Sequence, residues 1–474
     1  MAKKPKKNGK CFLMADKNLK IAMLAAHGGS DSNKIPLGGG AAICERLLQA
    51  WKNVDGLEIT LIVPGYYKTQ SNAAPTIAEE SALESGYANI ESEESIPKIN
   101  IVQIPLLKEG ETPCNLSEFR YARFCRQFEK ASTKKLLELK PDIAITHDIS
   151  EGPNFKQLSK HNIPCIPIFH VDVVDFFCRM YLKEYCTPKK CVNMWEKISF
   201  LPIVPDILRL VFDKQADAIR YCPKLIVPSQ GMKQILLDTY GNNDNLSSKI
   251  EVIPWGAPTP QFSHSEIEDA IPQINSEYNL NPEDPVIVML SRISPEKAQN
   301  KLIEALSWGE QIGRMPSNLT VFICGTASFM QGPKFMRKLQ DLSQNLKRVR
   351  LIFPGHIGGL KKAAILSRAT VFVTTSKHES YGLTTMEAMQ QGTPVVAIET
   401  PGSLQTIRPH TGVVIPRQGY TAQKLWHEIY NILINPNYRQ ILSVHAKLWS
   451  EQETFLKAAQ KILHIFESIS QTQK

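Results

Sequence analysis

The sequence predicts an α/β protein built from two parallel-sheet domains, and three observations carry that expectation. From Lys20 onward, short apolar runs ending in polar residues alternate with segments of helical period, as strand–helix–strand units require. The alternation breaks at KIEVIPWGAPTPQF, residues 249–262, where a strand runs into a Pro- and Gly-rich stretch, and it then resumes. A chain of 474 residues is also too long for one ordinary hydrophobic core.

In the first series KIAMLAA reads as a strand, AAICERLLQAW as a helix and LEITLIV as the second strand. A polar stretch rich in Ser, Glu, Asn and Ala, from about Tyr66 to Asn100, reads as an inserted loop or short irregular helices. INIVQIPLL resumes strand character, and SEFRYARFCRQFEKASTKKLLEL has helical period. PDIAITHD, CIPIFH and PKLIVPS are three more apolar strands, so the first sheet is parallel with helices on both faces. The second series runs through DPVIVMLS, LTVFICG, VRLIFPG, ATVFVTTS and TPVVAIE. From about Ala446 the chain reads as helix with no strand after it. The expected division is a basic tail over 1–19, a first domain over 20–252, a second over 253–445 and a terminal helix over 446–474.

Composition narrows the class. Hydrophobic residues make up 43% and charged residues 21%, as in a globular protein, and no apolar run reaches the length of a membrane span. The ten cysteines are scattered and fit reduced thiols of a cytoplasmic protein. Cys186 and Cys191 are the one close pair, and nothing nearby supplies two further zinc ligands. The net charge of +9 forms no basic stripe interleaved with aromatics, which argues against nucleic acid and suits a phosphorylated small substrate or an anionic membrane surface. ISFLPIVPDILRLVF is unusually apolar. Trp195, Phe200 and Phe212 are therefore candidates for contact with a bilayer or lipid, against the plainer reading of a buried helix pair.

Three motifs carry the chemistry. In HESYGLTTMEAMQQGTPVVA, Glu379 falls in the turn after a strand and Glu387 inside the helix that starts near Leu383, with Gly392 as its stop. That turn lies where α/β sheets bind ligands. In LSRISPEKAQNKLIEAL, Arg292 and Lys297 follow a strand and flank a Ser-Pro-Glu turn expected to open a helix, an arrangement suited to an anion. In PLGGGAAICERLL, the glycines Gly38, Gly39 and Gly40 precede a helix and leave room for a phosphate against the backbone. His147 in ITHD and His170 in PIFHVDVVDFF end strands of the first domain, beside Asp148 and before Asp172.

Together these segments resemble the retaining glycosyltransferases of the glycogen-synthase and sucrose-synthase type, glycosyltransferase family 4 or "glycosyl transferases group 1". The likeness is strongest from about Lys249 to Pro416. It implies a GT-B fold of two Rossmann-like domains facing a cleft, with the C-terminal helix crossing back to the first domain and Trp449 in the crossing segment. It implies transfer of a hexose from a UDP- or GDP-sugar to a sugar, polyol or lipid. In that analogy Glu387 holds the ribose hydroxyls, Arg292 and Lys297 stabilise the departing diphosphate, Glu379 meets the sugar near its 3- and 4-hydroxyls, and His170 faces its 6-hydroxyl. Ser380, Tyr381, Gly382 and Leu383 belong to the donor segment, Gly325 faces the nucleotide, and Gly39 and Gly40 face the donor phosphate. His147, Asp148 and Asp172 would stand on the acceptor side.

The chain departs from the family pattern at Ser291 and Ala298, where glycines are usual, and at Pro401 and Gln405. No D-x-D triplet is present, so a cation pair, with neither metal nor cofactor, is expected to neutralise the diphosphate. No side chain stands out as a covalent nucleophile, which fits front-face displacement with retention. The rival expectations are a disaccharide phosphorylase, a sugar-nucleotide epimerase, or a catalytically silent sugar-binding subunit. The expected location is cytoplasmic, with peripheral contact at the inner membrane surface as a second option.

Overall fold

The computed structural model describes residues 18–27, 38–67, 99–182, 185–241, 243–327 and 331–472. The basic tail up to residue 17, most of the 66–100 insertion, and Gly28 and Gly29 lie outside the described residues. Of the strands that border the insertion, β2 (Leu57–Tyr66) runs on past LEITLIV, and β3 (Ile99–Leu107) coincides with INIVQIPLL.

The first sheet adds β1 (Leu19–Leu24), β4 (Ile143–Thr146) and β5 (Cys165–Pro167) in the order β3-β2-β1-β4-β5, all parallel. A bridge from Ile168 to Ile226 ties on the short parallel pair β6 (Leu225–Val227) and β7 (Ile250–Val252). The second sheet comprises β8 (Val286–Leu290), β9 (Thr320–Cys324), β10 (Arg350–Ile352), β11 (Val371–Thr374), β12 (Val395–Ile398) and β13 (Gly412–Ile415). Its order is β10-β9-β8-β11-β12-β13, again parallel. The central strands β8 and β9 are buried at every position, which is why they read as unbroken apolar runs instead of alternating ones.

Strand order reverses between β1 and β4 in one sheet and between β8 and β11 in the other. Chain leaving the strands on either side of such a reversal runs to opposite faces and opens a crevice beyond their carboxyl ends. The segments that begin there hold His27, His147 and Asp148 in the first domain and Ser291, Arg292 and Glu379 in the second.

The carboxyl-terminal part is two helices, not one. Pro436–Gln452 starts ahead of the expected boundary at Ala446 and stays on the second domain, where Trp449 donates from Nε1 to the Thr406 carbonyl at 2.9 Å. Asn435 explains the early start, since its side chain caps the helix by accepting from Tyr438 N–H and Pro436 occupies the first turn. The chain then crosses, and Phe455–Thr472 returns to the first domain. There Phe466 meets the edge of Trp51 with ring centroids 5.8 Å apart, and Trp51 Nε1 donates to the Ala459 carbonyl at 3.2 Å.

Candidate active site

The two crevices face each other across the first turn of helix Gly39–Trp51. Gly38 takes φ 127°, and Gly39 and Gly40 are themselves the first helical residues, one step earlier than a glycine loop ahead of the helix would have it. Their lack of side chains is spatial. A Cβ on Gly40 would stand 3.0 Å from His170 Cδ2 and 3.5 Å from Asp148 Oδ1, while one on Gly39 would touch Leu383 Cδ1 at 3.7 Å. The helix start is thus pressed between strand-end groups of one domain and the first residue of helix Leu383–Gln390 of the other.

On the second domain, Glu379 and Lys297 are partners. Lys297 Nζ donates to Glu379 Oε2 at 2.7 Å, and Ser376 Oγ donates to the same oxygen at 3.3 Å. Arg292 Nη2 donates to Glu296 Oε1 at 2.8 Å. Each expected diphosphate cation therefore already holds a carboxylate. The turn between them does not open directly into a helix, because Ala298 sits at φ 51° and the helix begins only at Asn300. A left-handed residue interrupts right-handed winding, and this is the position where the family carries glycine. Gly325, at φ 138°, could not bear a side chain at all, since a Cβ would lie 1.8 Å from the Ser291 carbonyl oxygen.

Gly382 caps helix Leu383–Gln390 at φ 98° without a side chain, and Ser380 is half-exposed beside it. Tyr381 turns away from the cleft. It is buried, and its hydroxyl accepts from Gly256 N–H of the interdomain linker at 2.7 Å. Glu387 is buried between two cations: Arg46 Nη2 of the first domain donates to Oε1 at 2.6 Å and Lys362 Nζ donates to Oε2 at 3.1 Å.

On the first domain, His147 Nδ1 and His170 Nε2 share a hydrogen bond of 3.0 Å, and Trp255 lies 6.0 Å from His170, centroid to centroid. Burial pushes the His170 pKa down to about 3, helped by the charge of His27. Burial and the His170 charge likewise lower that of His147, so both rings are neutral near pH 7. Next to them, His27 Nε2 stands 3.3 Å from Glu151 Oε1, and Tyr121 donates its hydroxyl to that same oxygen. Burial alone would lower the His27 pKa, but Asp148, Cys114 and Glu151 outweigh it and hold the ring charged. The Asp148 carboxyl is raised to about 7, mainly by burial, with His27 pulling the other way and Glu151 adding to the rise. Among the described residues, His27, Asp148 and Glu151 are the group with ligand atoms close enough for a metal, all within 4.8 Å of one another.

Asp172, expected on the acceptor side, is fully buried and caps helix Val173–Tyr181, its Oδ1 accepting from Val174 and Asp175 N–H and from Gln215 Nε2, while its Oδ2 is without a partner among the described residues. Trp195 and Phe212 are buried too, stacked at 5.0 Å, whereas Phe200 is 76% exposed. A separate hollow of about 670 Å³, lined by Arg126, Lys134 and Lys214 among others, shares no residue with the cleft. Sequence reasoning missed Arg46, Lys362, His27, Glu151 and His378. Two of these carried a local signal, Glu151 three residues after Asp148 in HDISEG and His378 directly before Glu379 in HESYG.

Two Rossmann-like domains with ligand crevices opposed, joined by a linker and a returning helix, define the GT-B fold. Residues 270–449 match the family model described as "Glycosyl transferases group 1". Sucrose-phosphate synthase from Thermosynechococcus elongatus superposes with a TM-score of 0.67 at 18% identity, over 95% of this chain and 99% of that one. Anabaena HepE, solved with UDP and glucose, superposes at 0.60 with 16% identity, over 95% of this chain and 100% of that one. In sequence, the chain is 27% identical to the alpha-monoglucosyldiacylglycerol synthase of Streptococcus pneumoniae over 181 residues, 37% of each protein. It is 25% identical to the alpha-1,3/1,6-mannosyltransferase ALG2 of Saccharomyces cerevisiae over 276 residues, 52% of this chain and 50% of that protein. The matches span about half the length of these curated relatives or less.

His378 supplies a pH test. It is buried 3.5 Å from Asp175, and burial, reinforced by Arg179, Lys297 and Arg417, lowers its pKa to about 3. The unfolded chain takes up this proton near pH 6.5 and the folded chain does not, so the group costs stability as pH falls from about 6.5 toward 3. Thermal unfolding of the parent should therefore drop further between pH 7 and pH 5 than that of His378→Gln. Parallel drops would show that His378 is charged in the fold.

Proposed function

We propose that this protein is a retaining glycosyltransferase moving a hexose from a nucleoside-diphosphate sugar to an acceptor, without a metal on the diphosphate. The observation that carries the reading is the Lys297–Glu379 pair, 2.7 Å apart at the carboxyl ends of β8 and β11 and opposite the neutral His170. A diphosphate entering this crevice takes over the cations Arg292 and Lys297, and Glu379 is released to accept hydrogen bonds from sugar hydroxyls. Negative charge then grows on the leaving diphosphate beside fixed cations in a partly desolvated site, where such stabilisation is strong. A neutral His170 suits a polar hydroxyl partner and not general acid catalysis.

The test is incubation with a panel of UDP- and GDP-sugars and cell extract, with EDTA present, followed by mass spectrometry and proton NMR. A product heavier by one hexose with an α-linkage from an α-donor is expected. A β-linkage would overturn retention, and product formed only when sugar phosphate is supplied would favour the phosphorylase. Within the working assay, Lys297→Ala should lower turnover about a hundredfold, the scale of one lost charge-assisted contact to a developing anion. Unchanged turnover would mean that the diphosphate sits elsewhere.

The acceptor we propose is a membrane lipid. Tyr185, Phe200 and Ile203 are 90, 76 and 84% exposed around helix Pro188–Ile198, which also presents Lys189, Lys190 and Lys197 to solvent. Exposed aromatic and aliphatic groups ringed by lysines suit the interface of an anionic bilayer. The pneumococcal relative is, by its name, a synthase of a glucosylated diacylglycerol. No described helix is long and apolar enough to cross a membrane, and the contact we propose is a peripheral one. In flotation with vesicles containing anionic lipid, the double variant Phe200→Ser, Ile203→Ser should bind at least about tenfold more weakly, since each buried apolar side chain contributes about 1.5–3 kcal/mol. Equal flotation would rule out this face.

A further inference from the structure

Arg46 belongs to the first domain, yet its hydrogen-bond partner is a glutamate 341 residues away on the second. It projects from helix Gly39–Trp51 and places Nη2 at 2.6 Å from Glu387 Oε1. Its other terminal nitrogen, Nη1, is buried and has no partner among the described residues. A buried charged donor left without an acceptor is costly, which points to a partner that the chain itself does not supply. The Glu387 carboxylate accepts one bond from Arg46 and one from Lys362, which leaves about two of its roughly four lone-pair positions open.

We propose that Arg46 completes the ribose pocket of the opposite domain and makes the vicinal diol of the nucleotide the link that holds the cleft closed. This rests on the nucleotide-sugar reading above. A ribose hydroxyl both donates and accepts. Glu387 takes the hydroxyl protons on its open lone pairs, and Arg46 Nη1 donates to a hydroxyl oxygen. The planar guanidinium does both jobs at once, with Nη2 fixing the carboxylate while Nη1 reads the diol. A lysine there keeps the charge opposite Glu387 but loses the second arm of the fork. Arg46 is on this account a binding and specificity residue supplied in trans across the cleft, and donor affinity is tied to domain closure through one side chain.

Calorimetry with whichever of UDP and GDP binds the unchanged chain more tightly, and with its 2′-deoxy form, tests the proposal. Removing the 2′-hydroxyl should weaken binding to the unchanged chain. Arg46→Met should weaken the ribonucleotide about tenfold, the scale of one hydrogen bond to a charged group, and leave the deoxynucleotide nearly unaffected. Arg46→Lys should keep the parent's melting temperature, because the pair with Glu387 survives, and still lose the preference for ribose. Equal weakening of both nucleotides, tighter binding by Arg46→Met, or full ribose preference in Arg46→Lys would each overturn it. Failure of both nucleotides to bind the unchanged chain would remove the nucleotide reading itself, and this proposal with it.

Discussion

Three separate pieces of chain meet at Gly256, and the geometry of the cleft follows from that meeting. The residue takes φ 70°, and a Cβ there would lie 2.5 Å from the Thr454 carbonyl carbon. Only glycine lets the linker pass so close to the segment that returns to the first domain. Directly after it, Ala257 N–H donates to the Glu453 carbonyl at 2.7 Å and Phe455 N–H donates to the Ala257 carbonyl at 2.8 Å, a single rung of parallel sheet between linker and crossover. Tyr381, from the Glu379 turn, completes the junction by accepting the Gly256 N–H. Trp255 is then held against Phe455 on one side and His170 on the other. The Glu379 turn, the histidine pair and the returning helix are thus positioned by one crossing.

Around that junction the cleft is charged but internally balanced. The side chains of Lys297 and Glu379 are 15 and 26% exposed, and that of Glu387 is 9% exposed. A lone ion at such depth costs several kcal/mol, so each carboxylate is expected to come with a cation. The pairing is also functional in principle, since a ligand anion exchanges one partner for another without exposing a bare charge. The two glutamates differ in what surrounds them. Glu379 shares a single lysine and lies in a turn, open to exchange. Glu387 has cations on both oxygens, one from each domain, and is held in place as part of the wall.

Most of the fold was legible in the sequence because parallel strands buried on both faces give unbroken apolar runs, and their carboxyl ends announce themselves with polar residues. PIFH, ITHD, VMLSR and VTTSKHE all mark such ends, and the structure brings the last three to the two points where strand order reverses and PIFH to the neighbouring strand β5. What escaped was of a different physical kind. Ala298 adopts a left-handed conformation that its identity does not advertise, and it delays a helix expected to start at once. Asp172, two residues after a histidine, reads as chemistry, yet one of its carboxylate oxygens caps a helix, because an aspartate just ahead of VVDFF is also a good acceptor for two backbone N–H groups. Arg46 sits on a helix among other charged residues, and no local pattern separates a solvated arginine from one that reaches another domain.

The histidine pair shows how burial decides chemistry on the first-domain side of the cleft. His147 Nδ1 and His170 Nε2 share one hydrogen, and His147 Nε2 is buried without a partner among the described residues. Both rings are neutral, so each carries a single N–H. Were that hydrogen on His147 Nε2, a buried donor would be orphaned, a rarer and costlier arrangement than an unfilled acceptor. The favoured tautomer therefore places the His147 hydrogen on Nδ1, donating to His170 Nε2. His170 is then left with its own hydrogen on Nδ1, which makes it a fixed hydrogen-bond donor. A donor at that position recognises a hydroxyl oxygen and holds it without removing its proton. The charged set of His27, Asp148 and Glu151 next to it, with a carboxyl raised to about 7, is where a proton can be exchanged near neutral pH. The first-domain side of the cleft is accordingly split between a neutral pair that positions and an ionisable cluster that responds to protonation.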